Sequence, residues 1–152
     1  MSDQSFHEFQ LIVEFRWNTD TSIVRKSNSK NSGVMYLVPP DAPDMLWPRG
    51  IQFQIKEGAT GDFIFLHDVT LTINGSKTKP GKSVVSQRLL DAENPEGEWN
   101  TLIVTYKDNN IIQELNGRLV NEGTDPSVTE GRILLMYEGY PIDFRKVQIS
   151  TL

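Results

Sequence analysis

The chain has 152 residues, 38% hydrophobic and 23% charged, and its 15 Lys+Arg against 20 Asp+Glu give a net charge of −5. With no cysteine there is no disulfide, thiolate metal site or cysteine nucleophile, and with only two histidines there is no three-histidine metal centre. An acidic balance without a basic cluster argues against binding a nucleic-acid backbone.

The length is expected to form one domain over residues 1–152, large enough to bury a real core. No run approaches the ~18 apolar residues that a membrane-spanning helix needs. The opening MSDQSFHEF lacks a charged segment followed by an apolar one, so the chain as it stands carries no secretion signal. The compartment stays open between cytoplasm, for this chain as it stands, and periplasm, for one that has shed a leader.

Taken in order, nearly every periodic segment alternates with period two, the signature of strands rather than helices. Phe9–Trp17 puts Phe9, Leu11, Val13 and Phe15 on one face and Gln10, Ile12, Glu14 and Arg16 on the other. Gly33–Val38 is a short strand ended by Pro39-Pro40, since proline cannot donate to a ladder. A proline-rich loop, Asp41–Arg49, leads into Ile51–Lys56. There Ile51, Phe53 and Ile55 point inward, while Gln52, Gln54 and Lys56 point outward.

Asp62–Leu66 begins another strand, and Val69–Ile73 before Asn74-Gly75 reads as a hairpin, because Asn-Gly supplies the positive φ angles of a type I′ turn. Ser76–Lys82 would be its tip and return, and Arg88–Asp91 could form one helical turn. In Gly97–Asn100, Trp99 is expected to pack and Asn100 to cap a loop. Asn100–Tyr106 and Ile111–Leu115 pair across Lys107–Asn110, and Asn116-Gly117 turns into Arg118–Val120.

Gly131–Ile149 reads as two strands joined by a tight Gly-Tyr-Pro turn. Ile133, Leu135 and Tyr137 share one face and Leu134, Met136 and Glu138 the other, with a register shift near Lys146. Glu138 and Arg145 would then face each other across the pair, and the arginine would hold the glutamate ionised. About ten short strands with frequent turn signals predict an all-β antiparallel sandwich or jelly roll.

No nucleophilic triad, phosphate loop or dinucleotide motif is present. His67 is expected to be a strand-end residue and His7 inert. The outward set Glu14, Arg16, Gln52, Gln54, Glu138 and Arg145 lies on four strands that could stand side by side. Taken singly, each is an ordinary solvated residue. Together, such planar polar groups suit sugar hydroxyls, and Trp47 could stack on a sugar ring.

Asn31–Val34 (NSGV), Gly50–Ile55 (GIQFQI), Thr60–Phe65 (TGDFIF), Gly97–Asn100 (GEWN), Leu115–Gly117 (LNG) and the closing GRILLMYEG with FRKVQISTL resemble the 3-keto-disaccharide hydrolase family, in family order from about Phe6 to Leu152. The resemblance implies a concanavalin A-like jelly roll of two curved antiparallel sheets, with a site on the concave sheet that acts on 3-keto-glycosides or 3-keto-disaccharides. The strands that usually precede the family's Asp/Glu-Phe-x-Leu segment have no counterpart here.

Gln52 stands where members commonly carry glutamate, Met136 and Glu138 stand within the usual L-Q-x-H-G, and Lys146 follows Phe144-Arg145 in place of asparagine. Glutamine cannot act as a base. The resemblance therefore makes Glu138 and Glu14 the candidate proton-transfer groups. Arg145 and Arg16 would stabilise an enolate or orient the substrate, Gln52 and Gln54 would hold hydroxyls, and Trp47 would stack. It implies no redox cofactor, since the substrate arrives oxidised. A structural calcium ion is compatible with such a sandwich, but none is expected to be required, because no segment has the spaced oxygen ligands of a calcium loop. The expected partner is a carbohydrate, with no nucleic acid and no membrane span. The alternative functions are a non-catalytic sugar-binding module and a structural domain without a sugar site.

Overall fold

The computed structural model describes all 152 residues, Met1–Leu152. It contains twelve strands and no helix: β1 (Phe9–Trp17), β2 (Asn31–Val38), β3 (Gly50–Lys56), β4 (Phe63–Leu66), β5 (Thr72–Ile73), β6 (Ser76–Lys77), β7 (Ser83–Ser86), β8 (Asn100–Lys107), β9 (Asn110–Leu115), β10 (Arg118–Thr124), β11 (Arg132–Leu135) and β12 (Ile142–Thr151). They form two antiparallel sheets, one in the order β12-β1-β8-β9-β10-β5-β6 and the other β11-β2-β3-β4-β7. This is the jelly-roll sandwich that the alternation predicts.

Period-two patterning builds the core between the sheets. Phe9, Leu11, Val13, Phe15 and Trp17 of β1 bury against Ile51, Phe53 and Ile55 of β3, with Phe63 and Phe65 of β4 stacked beside them. One buried polar chain crosses this apolar layer. The Tyr36 hydroxyl donates to Gln113 Oε1 at 2.8 Å, and Gln113 Nε2 donates to the Gly61 carbonyl at 3.0 Å. It satisfies groups that would otherwise be costly to bury.

Three two-residue turns set the hairpin registers. Asn74-Gly75 has φ of 51° and 77°, Asp108-Asn109 49° and 61°, and Asn116-Gly117 51° and 78°. Two consecutive positive φ values give the type I′ twist that matches paired strands.

Three expectations are corrected. The Gly131–Ile149 segment is not a hairpin: β11 pairs with β2 in one sheet, while β12 pairs with β1 in the other. Alternation specifies which face of a sheet a side chain takes, and not which sheet holds the strand. Gly139-Tyr140-Pro141 is a crossing between sheets, anchored by Tyr140, whose ring meets Trp17 edge-on at 5.6 Å. The Asn18 amide also donates to the Pro141 carbonyl. Second, Arg88–Asp91 is bent rather than helical. Third, β7 escapes the sequence pattern because its four residues, Ser-Val-Val-Ser, form a half-exposed edge strand. The register shift in β12 does occur: Glu14 pairs with Lys146 and Phe15 with Phe144, which leaves Arg145 in a bulge.

Candidate functional site

The outward face of the five-stranded sheet carries a row of cross-strand partners, Leu134, Met35, Gln52, Ile64 and Val85, one from each strand. On the β11–β2 side the row belongs to a small apolar cluster, with Met35, Val38, Leu134 and Met136 buried beside Ile64 and Leu66. Gln52 lies between Met35 of β2 and Ile64 of β4, and Gln54 continues a polar stripe along β3. Above the stripe lies a hollow of about 520 Å³.

Side chains from both ends of the chain converge on this hollow. Asn31 enters from the start of β2, Trp47 from the proline-rich loop, His67 from just after β4, Lys82 from just before β7, Ser83 from its first position, and Glu138 from the crossing after β11. Gln52 is only 3% exposed and donates to Gln54 Oε1 at 2.6 Å, which leaves the Gln54 amide nitrogen for a ligand. Gly33, opposite Gln54, makes room for this arrangement: a Cβ there would lie 2.5 Å from Gln52 Nε2.

Glu138 is the only carboxylate in the hollow. Burial pushes its pKa above the ordinary 4.5, against the opposing influence of the Trp47 indole and the Lys56 ammonium. Asn31 Nδ2 donates to Glu138 Oε1 at 3.4 Å. Glu138 Oε2 and Asn31 Oδ1 are buried and have no hydrogen-bond donor within the protein.

Two neighbours of this carboxylate hold left-handed backbone, Trp47 at φ 59° and His67 at φ 54°. His67 Nε2–H donates to the Trp47 carbonyl at 3.0 Å, so the histidine clamps the tryptophan loop over the hollow. Non-glycine residues in this region are strained, and such residues gather where a fixed geometry is needed.

Of the residues singled out from sequence, the structure brings Gln52, Gln54, Trp47 and Glu138 together. It puts Glu14, Arg16 and Arg145 on the outward face of the seven-stranded sheet. There Arg145 Nε donates to Glu14, and Arg16 Nε donates to Asp143 Oδ2 at 2.9 Å. Both guanidinium groups lie over Trp99, 4.2 Å away for Arg145 and 4.6 Å for Arg16. Burial tends to raise the Asp143 pKa, but bonds from Arg16 and Asn18 outweigh it and hold the carboxyl below its usual range. The Arg145–Glu138 pairing expected from sequence therefore does not form, and Glu138 shifts up rather than down. Trp99 packs as expected, and Asn100 caps its loop by accepting from the Asn94 amide at 2.8 Å.

Asn31, His67, Lys82 and Ser83 were not legible as site residues. Asn31 lies within NSGV, whose local signal is only a strand start, His67 reads only as a strand end, and Lys82 and Ser83 lie at the start of β7, a strand that the pattern did not reveal. No group of three or more His, Asp or Glu side chains converges in a way that could hold a metal ion.

The sequence matches the 3-keto-alpha-glucoside-1,2-lyase-like domain over residues 1–150. The chain belongs to this family. A search of curated proteins finds no match.

Among solved structures, a protein of Parabacteroides distasonis provisionally described as a glycosyl hydrolase superposes with a TM-score of 0.65 at 18% identity, over 98% of this chain and 74% of that one. The carbohydrate-binding module CBM66 of Bacillus subtilis gives 0.60 at 14% identity, over 97% and 78%. Sheep galectin-11, solved with glycerol, gives 0.56 at 11% identity, over 97% and 95%. At these identities the likeness establishes the shared concanavalin A-like jelly roll. No helix is long and apolar enough to cross a membrane.

Proposed function

We propose that the hollow on the five-stranded sheet binds a sugar oxidised at C3 and eliminates its glycosidic substituent, with Glu138 as the proton-transfer group. Family membership supports the reaction class. The observation that carries the reading is the pair of buried oxygens without donors, Glu138 Oε2 and Asn31 Oδ1. A buried acceptor without a partner is costly. A ligand rich in hydroxyl groups supplies the missing donors, and the Gln54 amide and the Lys82 ammonium supply donors in return.

The chemistry follows from the C3 carbonyl, which acidifies the neighbouring C2–H. Glu138 takes that proton, and the C2–H electron pair becomes the C1–C2 double bond. The C1–O pair leaves with the glycosidic oxygen, which takes a proton from water, and Glu138 gives its own proton up to solvent. Water added later to the unsaturated sugar completes a net hydrolysis. A carboxylate with a raised pKa is a stronger base than an ordinary one. Lys82, which lines the same hollow, would favour the enolate oxygen. Glu14, Arg16 and Arg145 have no part in this scheme, because they share the other sheet's outward face.

The test is turnover of a 3-keto-glucoside by the parent and by Glu138→Gln. The substitution keeps the shape and removes the base, so the rate should fall about 10²–10⁴-fold with sugar affinity little changed. A parent that binds the sugar without turning it over would make the chain a binding module and end the enzymatic proposal.

A further inference from the structure

The β4–β7 side of the same hollow is chemically unlike the rest of it. Val85 pairs directly with Ile64 across the two strands, and Leu66 lies two residues along on the same face. These three side chains line the hollow opposite the Asn31–Glu138 pole, with Gln52 and Gln54 between the poles. Val85 is 53% exposed, a large apolar residue open to solvent on an edge strand. A sugar's hydroxyl groups find no donor or acceptor on a patch of branched aliphatic side chains. An apolar group attached to the sugar needs none.

The proton inventory points the same way. With Glu14 on the other sheet, Glu138 is the only carboxylate in the hollow, and it is occupied with the C2 proton. His67 uses its Nε2–H to hold the Trp47 carbonyl. No second acid is dedicated to the departing oxygen. A phenolic oxygen, with a pKa of about 10, leaves with little protonation. An alcohol oxygen resembles water, far less acidic than a phenol, and does not.

We infer that the glycosides this site takes carry an aromatic aglycone, seated on the Ile64–Leu66–Val85 wall with the oxidised sugar at the Glu138–Asn31 pole. The inference rests on the sugar site proposed above and narrows its substrate class from glycosides in general to aryl glycosides.

The experiment is a calorimetric titration of the intact chain with phenyl and methyl 3-keto-α-glucosides, which share the sugar and differ only at the wall. The phenyl compound should bind about tenfold more tightly, from the apolar area it removes from water. Val85→Asp should abolish that preference. Val85→Thr keeps the β-branched shape on an exposed strand and serves where the aspartate variant does not fold; it should reduce the preference by about threefold. Equal binding of the two sugars, or a preference that survives both substitutions, overturns the aryl inference while leaving the sugar site intact. Binding of neither compound overturns both. A retained phenyl preference without turnover supports the wall and removes only the catalytic step.

Discussion

Glu138 shows how strongly one side chain's role depends on which sheet receives its strand. Beside Arg145 it would have been a low-pKa carboxylate; in the hollow, burial raises it. The sign of its pH linkage is then fixed. A carboxyl whose pKa is higher in the folded than in the unfolded chain stabilises the fold fully below the ordinary value of 4.5, and that contribution is lost as the pH rises through the folded value. Glu138→Gln should therefore gain stability relative to the parent between pH 4 and neutrality, as measured by thermal melts at both ends. An equal parent–variant difference at the two pH values would mean that the hollow does not raise Glu138. In the rate, the acid limb of kcat/KM should lie above 4.5 for the parent, because the base must be ionised.

At the scale of elements, β3 carries both halves of the design. Its inward residues Ile51, Phe53 and Ile55 are fully buried, and its outward Gln52 and Gln54 floor the hollow. Phe53→Ala should cost about 3–5 kcal/mol in chemical denaturation, as for other buried aromatics. A loss below about 1 kcal/mol would be the response of a surface position. Gly33→Ala acts on the other face. Its new Cβ would displace the flexible end of Gln52, so sugar affinity should fall by about 1 kcal/mol, the scale of one lost hydrogen bond, while the melting temperature barely moves. An unchanged affinity would remove Gln52 and Gln54 from the binding role.

How much of this was legible follows from what alternation encodes. The faces of β1 and β3 could be read because each alternates over seven or more residues. The I′ turns at Asn74-Gly75 and Asn116-Gly117 were legible because their φ angles are written into residue type. Sheet membership was not. Leu134, Met136 and Glu138 do share a face, as the pattern says, but nothing local tells that β11 joins β2 while β12 joins β1. The candidate site inherited that ambiguity: Gln52, Gln54, Trp47 and Glu138 converge, and the three residues of β1 and β12 do not.

At the scale of the whole molecule, a sandwich offers two outward faces with the core between them, and the two polar constellations occupy one each. The Glu14–Arg145–Trp99–Arg16–Asp143 group is self-satisfied: each guanidinium has a carboxylate partner and lies over the same indole. It also pins the bulge of β12, an edge strand otherwise open to pairing with another chain. Such a group serves the strand that carries it, and its solvent-exposed ion pairs contribute only ~0.2–1 kcal/mol each.

The two faces therefore make opposite predictions for otherwise similar substitutions. Glu14→Gln removes a carboxylate of the same type as Glu138→Gln, in a position the resemblance also marks as a proton-transfer candidate. If chemistry belongs to the five-stranded face, Glu14→Gln should leave kcat within about twofold, and the double variant should be no slower than Glu138→Gln alone, as expected for sites too distant to couple. Arg145→Met should behave like Glu14→Gln, with a small loss of stability that added salt diminishes in the parent. A collapse of turnover in Glu14→Gln with Glu138→Gln near parental would move the reaction to the seven-stranded sheet, with Trp99 in place of Trp47 beside the sugar.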